Sequence, residues 1–141
     1  MKKTLAIACD HGGYELKAAI KAKFPEIEWK DLGCDSTESV DYPDYAAKMI
    51  DAIETGSVEQ GILICGTGIG ISIAANRSSK IRAALCTDTT MARLTRQHND
   101  ANVLALGARI TGVEAAFDIV DIFVKTEFEG GRHERRIAKM S

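Results

Sequence analysis

Apolar residues along the chain come in two rhythms that alternate from one end to the other. Short apolar runs occur at Thr4 to Cys9 (TLAIAC), Ile27 to Gly33 (IEWKDLG), Gln60 to Cys65 (QGILIC), Ile81 to Cys86 (IRAALC) and Asn102 to Gly107 (NVLALG). Runs this short, bounded by glycine and polar residues, predict strands. The intervening segments have helical spacing. Tyr14 to Phe24 places Leu16, Ile20 and Phe24 on one face, and Pro43 to Gly56 has proline in its first turn and glycine just past its end. Gly70 to Arg77 opens a third helix, and Thr87 and Asp88 are candidate caps for a fourth, through TTMARLTRQ. Thr111 and Glu114 have capping-box spacing ahead of a long apolar stripe that reaches Phe128. Five strands, each followed by a helix, predict a parallel sheet covered on both faces. Right-handed crossovers make it a doubly wound three-layer α/β/α sandwich of Rossmann-like type.

Composition narrows this picture. With 141 residues, 45% of them hydrophobic, the chain is read as one domain over residues 1–141. A net charge of −2 gives no basic field for nucleic acid or a membrane surface. No apolar run approaches a membrane span, and the first one is cut short by Asp10, so it reads as a strand and the protein as cytoplasmic. The cysteines Cys9, Cys34, Cys65 and Cys86 are too widely spaced for a zinc knuckle or a CxxC pair; they read as reduced thiols, mostly interior. Their spacing gives no metal-ligand pattern.

Ligands of a doubly wound fold sit beyond the carboxyl ends of the strands. That rim gathers Asp10, His11, Cys65, Thr67, Thr87 and Arg109. Its most specific stretch is GILICGTGIGISIAAN, where a thiol precedes Gly66, Thr67, Gly68, Ile69 and Gly70 at a helix start. Glycines allow close approach to a ligand, and amides at a helix start favour negative charge. A GxGxxG fingerprint would need glycine where Ile71 stands, no lysine follows Gly70 as in a Walker loop, and a cysteine phosphatase would need arginine at Ile71. What remains is a short anion cradle beside a thiol that could act as base or nucleophile. Plainer roles exist for each residue taken alone: Cys65 as core filler, His11 closing a turn, His98 as a helix C-terminal cation, and Arg132, Arg135 and Arg136 as a solvated tail.

The segments CDHGG, DYPDYA, GILICGTGIGISIAAN, RQHNDANVLALGAR and EGGRHERRI, from Cys9 to Ile137, closely resemble the type-B ribose-5-phosphate isomerases. That family also includes galactose-6-phosphate and allose-6-phosphate isomerases. The resemblance implies a cofactor-free aldose–ketose isomerase working through a cis-enediol(ate). It makes Cys65 the base between carbons 1 and 2, and His98 the acid that opens the furanose ring. Gly66 to Gly70 would supply amides to the enediolate, Thr67 and Asn99 would contact sugar oxygens, and Asp10 would bind hydroxyls or assist ring opening. His11, Arg109, Arg132 and Arg136 would form the phosphate end. Ala74 and Ala75 stand where other members carry a glutamate base, which matches the cysteine subgroup. Arg132 and Arg136 share a face of a helical turn, whereas Arg135 is offset and His133 is assigned to the surface.

His98 and Asn99 lie between the fourth helix and the fifth strand, at the amino edge of the sheet and opposite Cys65. The expectation is therefore a homodimer, or a tetramer built from it, with His98 and Asn99 reaching a partner's site. Ribose 5-phosphate to ribulose 5-phosphate is the expected reaction. A hexose phosphate, a non-catalytic sugar-phosphate or nucleotide binder, and a dinucleotide module are the rival readings.

Overall fold

The computed structural model describes residues 2–140. Five parallel strands, β1 (Thr4–Cys9), β2 (Glu28–Asp31), β3 (Gly61–Cys65), β4 (Ala83–Leu85) and β5 (Val103–Gly107), form one sheet in the order β2-β1-β3-β5-β4. The helices are α1 (Tyr14–Lys23), α2 (Tyr42–Glu54), α3 (Ile69–Ala75), α4 (Thr89–Asn99), α5 (Val113–Lys125) and α6 (Arg132–Ala138). This is the expected doubly wound sandwich. Among the described residues, no helix is long and apolar enough to cross a membrane.

Side chains of the central strands divide by the two-residue period of a pleated sheet. Leu5, Ile7 and Cys9 of β1, Ile62 and Ile64 of β3, and Leu104 and Leu106 of β5 pack on one face with Leu16, Ile20, Ala92, Ile119 and Phe123. Ala6 and Ala8, Leu63 and Cys65, and Val103 and Ala105 face the other way, towards Met49 and Ala52 of α2 and Ile71 and Ala75 of α3. The small β1 residues on that side let α2 approach closely. Gly61 serves the same end: a Cβ there would strike the Met49 thioether.

Local signals decide several boundaries. Asp88 caps α4 by accepting from the Met91 amide at 2.8 Å, whereas the Thr87 hydroxyl turns to the Met91 sulfur. The capping box expected at Thr111 and Glu114 does not form. Gly112 is the N-cap of α5, without a side-chain cap, because Thr111 is buried and its amide is held by the Gly107 carbonyl at 2.9 Å.

Lys17 of α1 is buried next to the apolar stripe, with its ammonium 2.8 Å from Asp31 Oδ1 and 2.7 Å from the Cys34 carbonyl. A buried charge needs such partners. Burial tends to raise the Asp31 carboxyl, but hydrogen bonds from Lys17, Lys21 and the Gly33 amide outweigh it and hold it below the ordinary carboxylate range.

Candidate active site

Cys65 ends β3 and pairs in register with Gly107 of β5, which puts the thiol on the carboxyl rim. Its sulfur accepts the Gly68 amide at 3.2 Å, and the residue is only 4% exposed. It opens onto a cleft of about 380 Å³ lined by Asp10, Tyr42, Cys65, Gly66, Thr67, Ile69 and Gly70.

The loop over the thiol has this shape because glycine is required. Gly68 is left-handed at φ +79, and a Cβ there would lie 2.5 Å from Leu85 Cδ1 and 2.8 Å from the Leu106 carbonyl carbon. Two of its five amides are engaged within the loop, Gly68 on the Cys65 sulfur and Ile69 on the Thr67 hydroxyl oxygen at 3.2 Å. Those of Gly66, Thr67 and Gly70 have no acceptor among the described residues. The oxyanion cradle read from the sequence therefore narrows to these three donors.

Around the cleft, Asp10 is nearly buried and accepts the Gly12 amide at 2.9 Å, capping a 3-10 turn over His11–Gly13. His11 Nδ1 accepts the Val40 amide at 3.1 Å, which leaves Nε2 as its free donor. Arg109 donates its amide to the Gly66 carbonyl at 2.9 Å, and its stem lies 3.1 Å from where a Cβ on Gly66 would stand. Tyr42, which the sequence reading missed, forms one wall. Its ring carbon Cζ sits 2.7 Å from the position a Gly70 Cβ would occupy, so that glycine makes room for the tyrosine. The available signal was its place at the start of α2, straight after the longest irregular stretch.

The remaining candidates are elsewhere in the chain. His98 and Asn99 end α4, next to the start of β4, where the Arg82 guanidinium donates to the Asn99 and Asp100 carbonyls. Four steps of about 3.3 Å along β3 set this edge roughly 13 Å from the thiol's rim. Arg132 and Arg136 lie on α6, which packs against α4. The Glu129 amide donates to the Gln97 carbonyl at 3.1 Å, and Met140 lines a cleft with Arg82 and Asn99. Within one chain, then, Arg132 and Arg136 group with His98, not with His11 and Arg109. His133 is not on the surface: it is 5% exposed, with its ring stacked on His98 at 4.4 Å between centroids and 15° between planes. Two left-handed glycines, Gly130 and Gly131, turn the chain so that residue 133 points inward.

Chemistry separates the thiols. Burial pushes Cys9 and Cys86 up to about 12, which keeps them protonated near neutral pH, and neither lines the cleft. A larger groove of about 700 Å³ between β2 and α2 is lined by Lys30, Asp31, Tyr45 and Lys48. Asp35 and Asp51 line it as well, and Asp31 is already paired with Lys17 and Lys21. Among the described residues, His98, Glu129 and His133 are the group whose ligand atoms lie close enough for a metal ion, within 4.8 Å of one another.

The family described as Ribose/Galactose Isomerase matches residues 5–140. The chain is 50% identical over 137 residues to ribose-5-phosphate isomerase B of Escherichia coli, covering 96% of this chain and 92% of that protein. Its fold superposes with a TM-score of 0.96 on a ribose 5-phosphate isomerase from Thermotoga maritima, at 54% identity over 99% of this chain and 98% of that one. A ribose-5-phosphate isomerase B from Mycoplasma genitalium, solved with bound ribulose-5-phosphate, gives a TM-score of 0.92 at 42% identity over 99% and 95% of the two chains. A match that spans the sheet, the glycine loop and the terminal helix alike is agreement of whole chains, and on it this chain belongs to the ribose/galactose isomerase family.

Proposed function

We propose that the chain interconverts ribose 5-phosphate and ribulose 5-phosphate in the cytoplasm, with Cys65 as the base. The observation that carries this reading is a cysteine sulfur held by the Gly68 amide at the floor of a cleft, beside three amides without acceptors. The names of relatives at half identity point to the same substrate. In the first step His98 gives a proton to the ring oxygen as the C1–O bond breaks, while Asp10 takes the proton of the C1 hydroxyl. The Cys65 thiolate then removes the proton on C2. That electron pair becomes the C1–C2 double bond, and the aldehyde oxygen takes the negative charge. Amides of Gly66, Thr67 and Gly70 facing that oxygen stabilise it, each worth about 3–4 kcal/mol in comparable sites. The thiol returns the proton to C1, the hydroxyl proton on O2 moves to O1, and the ketone forms. Thr67 and Asn99 hold sugar hydroxyls, and Ile69 closes the cleft beside them. His11, Arg109, Arg132 and Arg136 hold the phosphate, for which arginine forks are suited.

This assignment needs a homodimer, because His98, Asn99, Arg132 and Arg136 lie at the sheet edge away from the thiol. Ile69 and Ile73, one turn apart on α3, expose more than half their surface beside the cleft, an apolar face that a second copy would cover. Cys65→Ala should abolish turnover and leave substrate affinity largely intact; turnover that survives removes the base assignment. Mixing Cys65→Ala with His98→Ala chains should restore activity at one of two sites, and inactivity after proven subunit exchange refutes sharing. For the substrate, kcat/KM should be highest on ribose 5-phosphate. A preference for allose 6-phosphate or galactose 6-phosphate would overturn it.

A further inference from the structure

The ring-opening acid assigned above has a support of its own. His98 stands at the last turn of α4 with its side chain 40% exposed, and a lone imidazole there would sample several rotamers. Two groups restrict it. The buried His133 ring stacks on its face, 4.4 Å between centroids and 15° from parallel. The Glu129 carboxylate sits at its edge, with Oε1 3.9 Å from His98 Nε2 and 3.5 Å from His133 Nε2. Both are delivered by one local device. The Glu129 amide is tied to the Gln97 carbonyl in the last turn of α4, and Gly130 and Gly131, at φ +73 and +60, reverse the chain so that residues 129 and 133 face the same ring. Side chains rarely adopt that backbone conformation, so glycine is what makes the reversal possible.

Plain core packing does not account for this arrangement. A buried histidine needs a partner, but an exposed carboxylate aimed at the edges of both rings, one of them solvent-facing, orients the exposed ring as well. A chelated ion accounts for it less well, because the rings are stacked nearly parallel, so that their nitrogen lone pairs run side by side and do not converge on one point.

We propose that Glu129 and His133 are positioning residues for His98: the stack fixes its ring plane, and the carboxylate fixes which edge faces inward. With Nε2 turned to Glu129, Nδ1 is the nitrogen presented to the sugar's ring oxygen. The inference rests on the reading of His98 as the ring-opening acid, and the test separates the two.

Two assays are run on the full-length enzyme. One measures kcat and KM from ribose 5-phosphate, which must be opened. The other follows, by NMR, solvent deuterium entering C1 of ribulose 5-phosphate, an open-chain sugar whose exchange needs the Cys65 step but no ring opening. If general acid catalysis contributes about 100-fold or more, His98→Ala loses that factor from ribose 5-phosphate turnover, and Glu129→Gln loses about tenfold in kcat with KM within about twofold. Deuterium entry stays near wild type in both. His133→Ala behaves like Glu129→Gln, and His133→Phe, which restores a flat ring for the stack, recovers most of the loss. Glu129 is exposed, so Glu129→Gln keeps the test valid even if the His133 variants fold poorly. Wild-type kcat in Glu129→Gln, or equal losses in both assays, overturns the positioning role. Loss of deuterium entry in His98→Ala would instead refute the ring-opening role beneath it.

Discussion

Gly107→Ala is the sharpest probe of whether the thiol loop must sit where it does. Gly107 ends β5 opposite Cys65, and the Thr67 backbone crosses directly over it. A Cβ at residue 107 would stand 2.5 Å from the Thr67 carbonyl carbon and 2.9 Å from its Cα, against 3.4 Å for ordinary contact. The obstructing atoms are backbone, so no rotamer change relieves the clash. The Thr67 carbonyl oxygen is nearer still, so the loop has to retreat by about 1 Å, carrying the Thr67 and Gly68 amides with it. Overpacking of this kind costs about 1–3 kcal/mol. A misplacement near 1 Å in a catalytic constellation costs about 100-fold in rate. The variant should therefore fold with a lowered denaturant midpoint and lose on the order of 100-fold in kcat, out of proportion to its stability. Gly112→Ala is the control. It has a negative φ and open space around the new methyl, so it should cost less than about 1 kcal/mol and leave kcat unchanged. If Gly107→Ala keeps kcat within twofold of wild type, loop position does not govern the chemistry.

Two further outcomes follow from the same geometry. The depressed Asp31 carboxyl contributes stability that is complete above the ordinary carboxylate value and is lost as pH falls through its own lower value. Asp31→Asn should thus be destabilised at neutral pH, with the gap to wild type shrinking in urea titrations as pH falls below the ordinary carboxylate range; a gap independent of pH would refute the linkage. In native thiol labelling near pH 8, Cys9 and Cys86 should stay unmodified, since at about 12 almost none of either is thiolate. Label should enter first at Cys65, whose sulfur lines the cleft, and a sugar phosphate should slow it. Prior modification of Cys9 or Cys86 would contradict the burial argument.

What the sequence determined by itself was everything set by short-range repetition and by topology. Apolar runs of strand length in Thr4–Cys9, Gly61–Cys65 and Val103–Gly107 alternate with helical stripes, and parallel order then sends their carboxyl ends to one rim. Asp10, His11, Cys65 and Arg109 were placed there from chain direction alone, and His98 was placed at the opposite edge by the same rule. Tertiary contact decided the rest. Nothing local marks Lys17 as buried, and it is the fold that closes Asp31 and the Cys34 carbonyl over it. Thr111 has capping-box spacing, yet the Gly107 carbonyl takes its amide and Gly112 becomes the cap. Tyr42 becomes a cleft wall only because Gly70, distant in sequence, leaves it space. His133 looked like one more polar residue in a charged tail, and it is the stacking of α6 on the end of α4 that buries it against His98. Local propensity and direction are encoded over a few residues, whereas a partner supplied from tens of residues away is fixed only once the sheet has brought the two segments together.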